Sequence, residues 1–240
     1  MSEVFSVVFN HVKVGARMKD LDNLAEEEIV KRGAFPSFKK VKGYHWTICV
    51  CANEEVVHGV PDDYVIRSKD VISIDCGVYY KGFHTDASWT MQVGEFSDAV
   101  TEFLKSGKTT LEKALKQVRL DNYIYDISKT IQDEIHSAGY TIVHSLVGHG
   151  VGRKLHEDPE IPGIIRSKRL DTSRIVKGMV LAVEVIYTMG KPEISYDTND
   201  KWTLVTKDGK ISGLFEATVA VTSHGCLILT PIFNLELSKA

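Results

Sequence analysis

Four carboxylates interrupt apolar, strand-like sequence. They are Asp75 in Val71-Ile72-Ser73-Ile74-Asp75, Asp86 in Phe83-His84-Thr85-Asp86-Ala87-Ser88-Trp89, Glu184 in Val180-Leu181-Ala182-Val183-Glu184-Val185-Ile186, and Glu216 in Leu214-Phe215-Glu216-Ala217-Thr218-Val219. An ionised carboxylate inside a protein is unstable by several kcal/mol unless a cation or strong donors compensate it. These four, with His149 held in Gly148-His149-Gly150, call for a shared counter-charge. One imidazole and four carboxylates form a hard, oxygen-rich, anionic set, which suits two divalent ions such as Mn, Fe, Co or Zn better than one closed structural zinc. Two ions about 3.5–4 Å apart commonly share a water and make it a nucleophile near neutral pH.

Each member has a plainer reading. If Lys81-Gly82 is a two-residue hairpin turn, Tyr80 pairs with Phe83 and Asp75 lies opposite Ser88. Asp86 is then its diagonal neighbour on the same face, and the two carboxylates can grip one ion. A three-residue loop would reverse the parity and leave two ordinary aspartates on a solvated hairpin. Glu184 and Glu216 each break a run of Val, Ile, Leu, Ala and Phe; a Lys or Arg distant in sequence is the competing partner. His149 lies in Gly148-His149-Gly150-Val151-Gly152-Arg153, whose glycine spacing is not that of a dinucleotide-binding turn. A lone histidine is more often structural than a ligand, but glycines allow tight backbone conformations and clear space around this imidazole. His156 follows in His156-Glu157-Asp158-Pro159, His58 occupies a loop like that of His149, and His84 sits close to Asp86, where it reads equally well as a surface residue.

The elements that must position these residues can be read from periodicity. Leu21, Leu24, Ala25 and Ile29 form one helical stripe between Asp20 and Arg32, ended by Gly33. Further helices are predicted from about Ser97 to Val118 and from about Tyr123 to Ala138. Strands are predicted over 46–52, 71–93, Thr141–Val147, Met179–Tyr187, Trp202–Thr206 and Leu214–Thr222. Helices grouped between sets of strands imply an α+β fold with an antiparallel or mixed sheet. No low-complexity run or linker divides the chain, so residues 1–240 are expected to form a single domain.

The 240 residues carry 43% hydrophobic and 25% charged side chains with a net charge of −3, ordinary values that give no electrostatic reason to expect nucleic-acid or membrane binding. No segment reads as a signal peptide or a bilayer span. Cys49, Cys51, Cys76 and Cys226 lack paired zinc spacing and are expected as reduced thiols. These features together lead us to expect a cytoplasmic protein.

The order of these residues resembles the type I methionine aminopeptidases. The resemblance rests on Asn53-Glu54-Glu55-Val56-Val57-His58-Gly59-Val60-Pro61, Asp75 with Asp86, Gly148 to Arg153, Leu155 to Pro159, Gly178 through Glu184, and Phe215-Glu216, and it runs from about residue 12 to 230. It implies the pita-bread fold, two pseudo-symmetric halves around a central antiparallel sheet with helices on the outer face. It implies Asp75, Asp86, His149, Glu184 and Glu216 as ligands of two divalent metal ions, Asp86 and Glu216 bridging them. It also implies metal-assisted removal of the initiator methionine when the second residue is small, by attack of a bridging hydroxide. Glu184 is then the proton shuttle, His58 and His156 orient the peptide and steady the oxyanion, and Tyr44, Cys49, His58, His156 and Trp202 receive the substrate. N-terminal methionyl peptides of nascent chains, a transient ribosome association and a monomeric state belong to the same expectation. Prolyl-directed aminopeptidases on the same fold and non-catalytic pita-bread binding proteins are the rival readings. Four departures stand out. Ala217 follows the last Glu where the family has His, a change expected to remove a supporting donor; Val185 replaces a frequent Pro; Leu155 replaces a frequent aromatic; and the first helix is reduced to Val4–Val12.

Overall fold

The computed structural model describes residues 1–239. Helices α1 (Ser2–His11) and α2 (Met18–Lys31) precede short strands β1 (Phe35–Pro36), β2 (Ile48–Ala52) and β3 (Glu55–Val57) and the long pair β4 (Val71–Tyr80) and β5 (Phe83–Val93). Helices α3 (Asp98–Leu115) and α4 (Ile124–Ser137) follow, then β6 (Thr141–Ile142), β7 (Val147–Gly150), β8 (Glu157–Pro162) and β9 (Val180–Thr188). The chain continues through β10 (Ile194–Tyr196), β11 (Leu204–Thr206), β12 (Ser212–Thr222), β13 (Gly225–Ile228) and β14 (Ser238–Lys239).

The β4–β5 hairpin turns on Lys81 and Gly82, both with positive φ (49° and 91°), as a two-residue primed turn requires. Tyr80 therefore pairs with Phe83 and Asp75 with Ser88, the register expected from the sequence. Strands β4, β5, β12 and β9 lie side by side in the middle of the main sheet, antiparallel throughout, with β1 outside β4 and β7 then β8 outside β9. A helix pair belongs to each half of the sheet: α1 packs on α2 near β1 and β2, and α3 packs on α4 and against β5, β9 and β12.

Alternation along the strands separates the two faces. On the helix side, Phe215, Ala217 and Val219 join Val183, Val185, Phe103, Leu104 and Leu111 in one large core. On the other side, Leu214 and Ile186 pack with Val56, Val57 and Leu204 beneath the small sheet β10–β11–β3. The carboxylates of 184 and 216 share this second face.

Two sequence expectations need correction. The strand predicted over Thr141–Val147 is broken: only Thr141–Ile142 pair, and a second strand begins at Val147. His149 lies on that strand, not in a loop. Gly148 and Gly150 are small because neighbouring strands press on them: a Cβ would stand 2.6 Å from the Ala182 carbonyl oxygen and 2.2 Å from that of Asp158. Neither adopts a positive φ. The N-terminal segment is a helix from Ser2 to His11 that buries Val4, Phe5, Val8 and Phe9.

Candidate metal centre and substrate cavity

One register row carries the site. Asp75 opposes Ser88, Ser88 opposes Glu216, and Glu216 opposes Glu184, so the row crosses β4, β5, β12 and β9 without a break. Asp86 lies two residues before Ser88, on the same face. His149 on β7 opposes Ala182, two residues before Glu184, and its Nε2 stands 3.5 Å from Glu184 Oε1. One donor atom each from Asp86, His149 and Glu216 falls within 4.8 Å of the others. Asp75 lines the same cavity, close enough for its charge to act on Asp86.

The set is short of compensation. Asp75 Oδ1, Asp86 Oδ1 and Glu216 Oε1 are buried acceptors without a donor, although Ser88 Oγ donates to Glu216 Oε2 at 2.9 Å. Among the described residues no Lys or Arg pairs with any of the four carboxylates, so the distant-base explanation fails. Burial pushes the Asp86 carboxyl well up, reinforced by Glu216, Asp75 and Glu184. Burial, then Glu184 and Asp75, does the same at Glu216, while burial and Asp75 raise Glu184. Burial lifts Asp75 to about 6 against the hydrogen bonds of Ser88 and Asp86. Burial also lowers His149 to about 4, so its ring is neutral at pH 7. Nδ1, 2.8 Å from the Gly150 carbonyl oxygen, carries the proton, which leaves the Nε2 lone pair free to face Glu184. Orphaned hard oxygens, a neutral imidazole and no competing cation form a donor set that fits divalent metal ions.

All ten residues singled out from the sequence line one cavity of about 130 Å³: Tyr44, Cys49, His58, Asp75, Asp86, His149, His156, Glu184, Trp202 and Glu216. The Tyr44 hydroxyl is held over the Ile48 carbonyl oxygen (3.0 Å) and Cys49 Sγ (3.2 Å), and its ring meets Trp202 edge-on at 5.2 Å. His58 adopts a left-handed φ of 58°, a strained conformation for a side-chain-bearing residue. The following Gly59 lies flat on β2, where a Cβ would fall 2.2 Å from the Val50 carbonyl oxygen. The His156 ring stands perpendicular to His149 at 4.5 Å, and burial pushes both His58 and His156 down. Phe38, Val41, Val57 and Leu214 also line the cavity, and sequence reasoning missed them because each reads as an ordinary core residue. A larger open cleft of about 600 Å³ shares Val57, His58, His149, His156 and Glu184 with the cavity. A chain lying in the cleft can thus place one terminal side chain in the cavity.

The departures at 217 and 185 lie elsewhere. Ala217 and Val185 are fully buried on the helix side of the sheet, among core side chains. A residue at 217 cannot support the carboxylate of 216, whose side chain leaves the opposite face, so the expected loss of a supporting donor does not arise. Leu155 packs with Phe38, Tyr44 and Cys49 behind the cavity wall. His84 is buried, not at the surface. The four cysteines are all free thiols.

Residues 1–223 match the model of metallopeptidase family M24. A methionine aminopeptidase of Clostridium perfringens is 39% identical over 232 residues, 97% of this chain and 92% of the relative. Methionine aminopeptidase 1 of Bacillus subtilis is 40% identical over 222 residues, 92% of this chain and 88% of the relative. Among solved structures, the methionine aminopeptidase of Thermotoga maritima superposes with a TM-score of 0.91 at 36% identity, covering 95% of this chain and 91% of that one. The prolidase of Pyrococcus furiosus shares the fold at a TM-score of 0.76 but only 21% identity, and 60% of its length is covered. With a carboxylate row, a neutral imidazole and a one-side-chain cavity in a pita-bread sheet, this chain belongs to metallopeptidase family M24 and, within it, to the methionine aminopeptidases.

Proposed function

We propose that the protein removes the initiator methionine from newly made chains whose second residue is small, by metal-dependent hydrolysis. The observation that carries this reading is the junction at Glu184 and His149, where the carboxylate row, the small cavity and the open cleft meet. Asp75, Asp86, His149, Glu184 and Glu216 would hold two divalent ions; Co, Mn, Fe and Zn all suit these donors. When bound, the ions supply Lewis-acid activation of a water and of the scissile carbonyl.

The rest is the work of side chains. Tyr44, Cys49 and Trp202 enclose the methionine side chain and keep water from it. His58 and His156 donate hydrogen bonds to the substrate and hold the scissile carbonyl in place as charge develops on its oxygen. Glu184 accepts the proton of the attacking water at its carboxylate and returns it to the departing amine. The remaining peptide runs out along the cleft. Residues 1–240 act as one such domain, working as a monomer in the cytoplasm with transient contact to the ribosome. Among the described residues no helix is long and apolar enough to cross a membrane.

The test is peptide cleavage by metal-stripped protein reloaded with Mn, Fe, Co or Zn, on Met-Ala-Ser, Met-Lys-Ser and Ala-Pro-Ser. Metal-dependent release of methionine from the first peptide alone is expected. Cleavage of Ala-Pro-Ser in preference would identify a prolyl-directed enzyme, and silence on all three with metal bound would return the chain to the binding proteins.

A further inference from the structure

His84 is a buried imidazole that does not line the cavity, although it lies near enough to His156 for the two charges to be felt. It lies on β5 two residues before Asp86, and its Nδ1 is 2.8 Å from Ser37 Oγ, which is itself fully buried. Ser37 precedes Phe38, and the segment continues through Val41 to Tyr44, so it supplies three walls of the cavity. That segment is laid directly on the hairpin: the Ser37 backbone N–H donates to the Gly77 carbonyl oxygen at 2.9 Å, and Gly77 is the cross-strand partner of Asp86. A Cβ on Gly77 would come within 2.7 Å of both Ser37 Cβ and the Phe38 ring, so the contact has no slack. On its other sides, His84 packs its ring on Tyr79 at 4.7 Å and donates its backbone N–H to the Gly152 carbonyl oxygen at 2.7 Å, in the segment joining His149 to His156.

We infer that His84, through its hydrogen bond to Ser37, is a positioning residue that fixes the Phe38–Tyr44 wall relative to Asp86 and so sets the fit of the methionine side chain. The inference rests on the reading of the cavity as the methionine pocket. A wall held in register makes the cavity complementary in ground and transition states alike, so its loosening weakens substrate binding and leaves turnover almost untouched.

The test compares Ser37→Ala, His84→Ala and His84→Asn in the metal-loaded enzyme. An asparagine amide can occupy the position of the imidazole Nδ1 and keep the bond to Ser37. Ser37→Ala and His84→Ala should raise KM for Met-Ala-Ser about 3- to 10-fold, the range of one neutral hydrogen bond, with kcat within about twofold. Free-methionine affinity, read by isothermal titration calorimetry, should fall by the same factor, and His84→Asn should restore both. Should His84→Ala not fold, Ser37→Ala and His84→Asn decide alone. Unchanged methionine affinity in Ser37→Ala, or a fall in kcat without a rise in KM, overturns the inference. A wild-type protein silent on methionyl peptides would instead sink the functional reading.

Discussion

Glu184 and Glu216 are direct cross-strand partners on β9 and β12, two carboxylates largely out of water and facing each other on one side of the sheet. Like charges in that arrangement repel, and burial raises the affinity of each for a proton. Ionised together, the two need a cation or a proton between them, which is why the register is a stronger statement about metal than either residue alone. Removal of one carboxylate should therefore separate charge relief from chemistry. Glu184→Gln should leave the fold intact by circular dichroism and lower kcat about 10²- to 10⁴-fold, the contribution typical of a positioned acid–base group. Undiminished kcat in that variant would refute the proton-shuttle role.

Gly150 tests the reading of the glycines as points of close strand approach. Gly150→Ala would drive a methyl group into the Asp158 carbonyl oxygen, 2.2 Å from the ideal Cβ position. The strands must part, at about 1–3 kcal/mol, and His149 must move with them. A lowered melting temperature together with at least tenfold weaker activity is expected. Full activity with wild-type melting would show that β7 has room to spare.

Ala217 offers the opposite test. A histidine there would be forced between Ala87 and Val183 on the helix-packed face, fully out of water. Ala217→His should destabilise the protein by about 1–3 kcal/mol through overpacking and polar burial, with no gain in kcat. A variant that is both stable and faster would mean the side chain does reach the carboxylate of Glu216.

Glu55 on β3 gives a pH signature away from the carboxylate row. Burial lifts its carboxyl to about 7, while the Ala52 N–H, donating to it at 2.7 Å, pulls the other way. A carboxyl whose pKa is raised by folding contributes stability that is complete below its ordinary value of 4.5 and is lost as pH rises through about 7. The swing is on the order of 3 kcal/mol or less. With saturating metal, wild-type melting temperature should fall between pH 5 and 8, and Glu55→Gln should flatten that fall. Parallel curves for the two proteins would show that Glu55 titrates as it does in the unfolded chain.

The local part of this site was legible in the sequence. Lys81-Gly82 fixed the register of Asp75 against Ser88 because a two-residue turn leaves one parity, and carboxylates in apolar strands declared themselves by their solvation cost. The pairing of Glu216 with Glu184 and Ser88 was not, since it joins strands far apart in the chain and no local pattern encodes it. Recognition of the family supplied that link. Phe38, Val41, Val57 and Leu214 were invisible for a different reason: a pocket wall and a core residue have the same side chain, and only the space beside it differs. His149 was misread as a loop residue because glycine marks both a turn and a crowded strand.

The carboxylate row draws on strands far apart in the chain: β4 and β5, with Asp75 and Asp86, precede helices α3 and α4, and β9 and β12, with Glu184 and Glu216, follow them. During synthesis, β4 and β5 can pair early, but Asp75 and Asp86 then form only half of the row, open to water. Only when β9 and β12 have emerged and docked does the cluster close, a long-range step that spans the chain from β4 to β12. Hydrolytic competence is therefore acquired in one step, and a chain halted before β12 holds half a site and no activity.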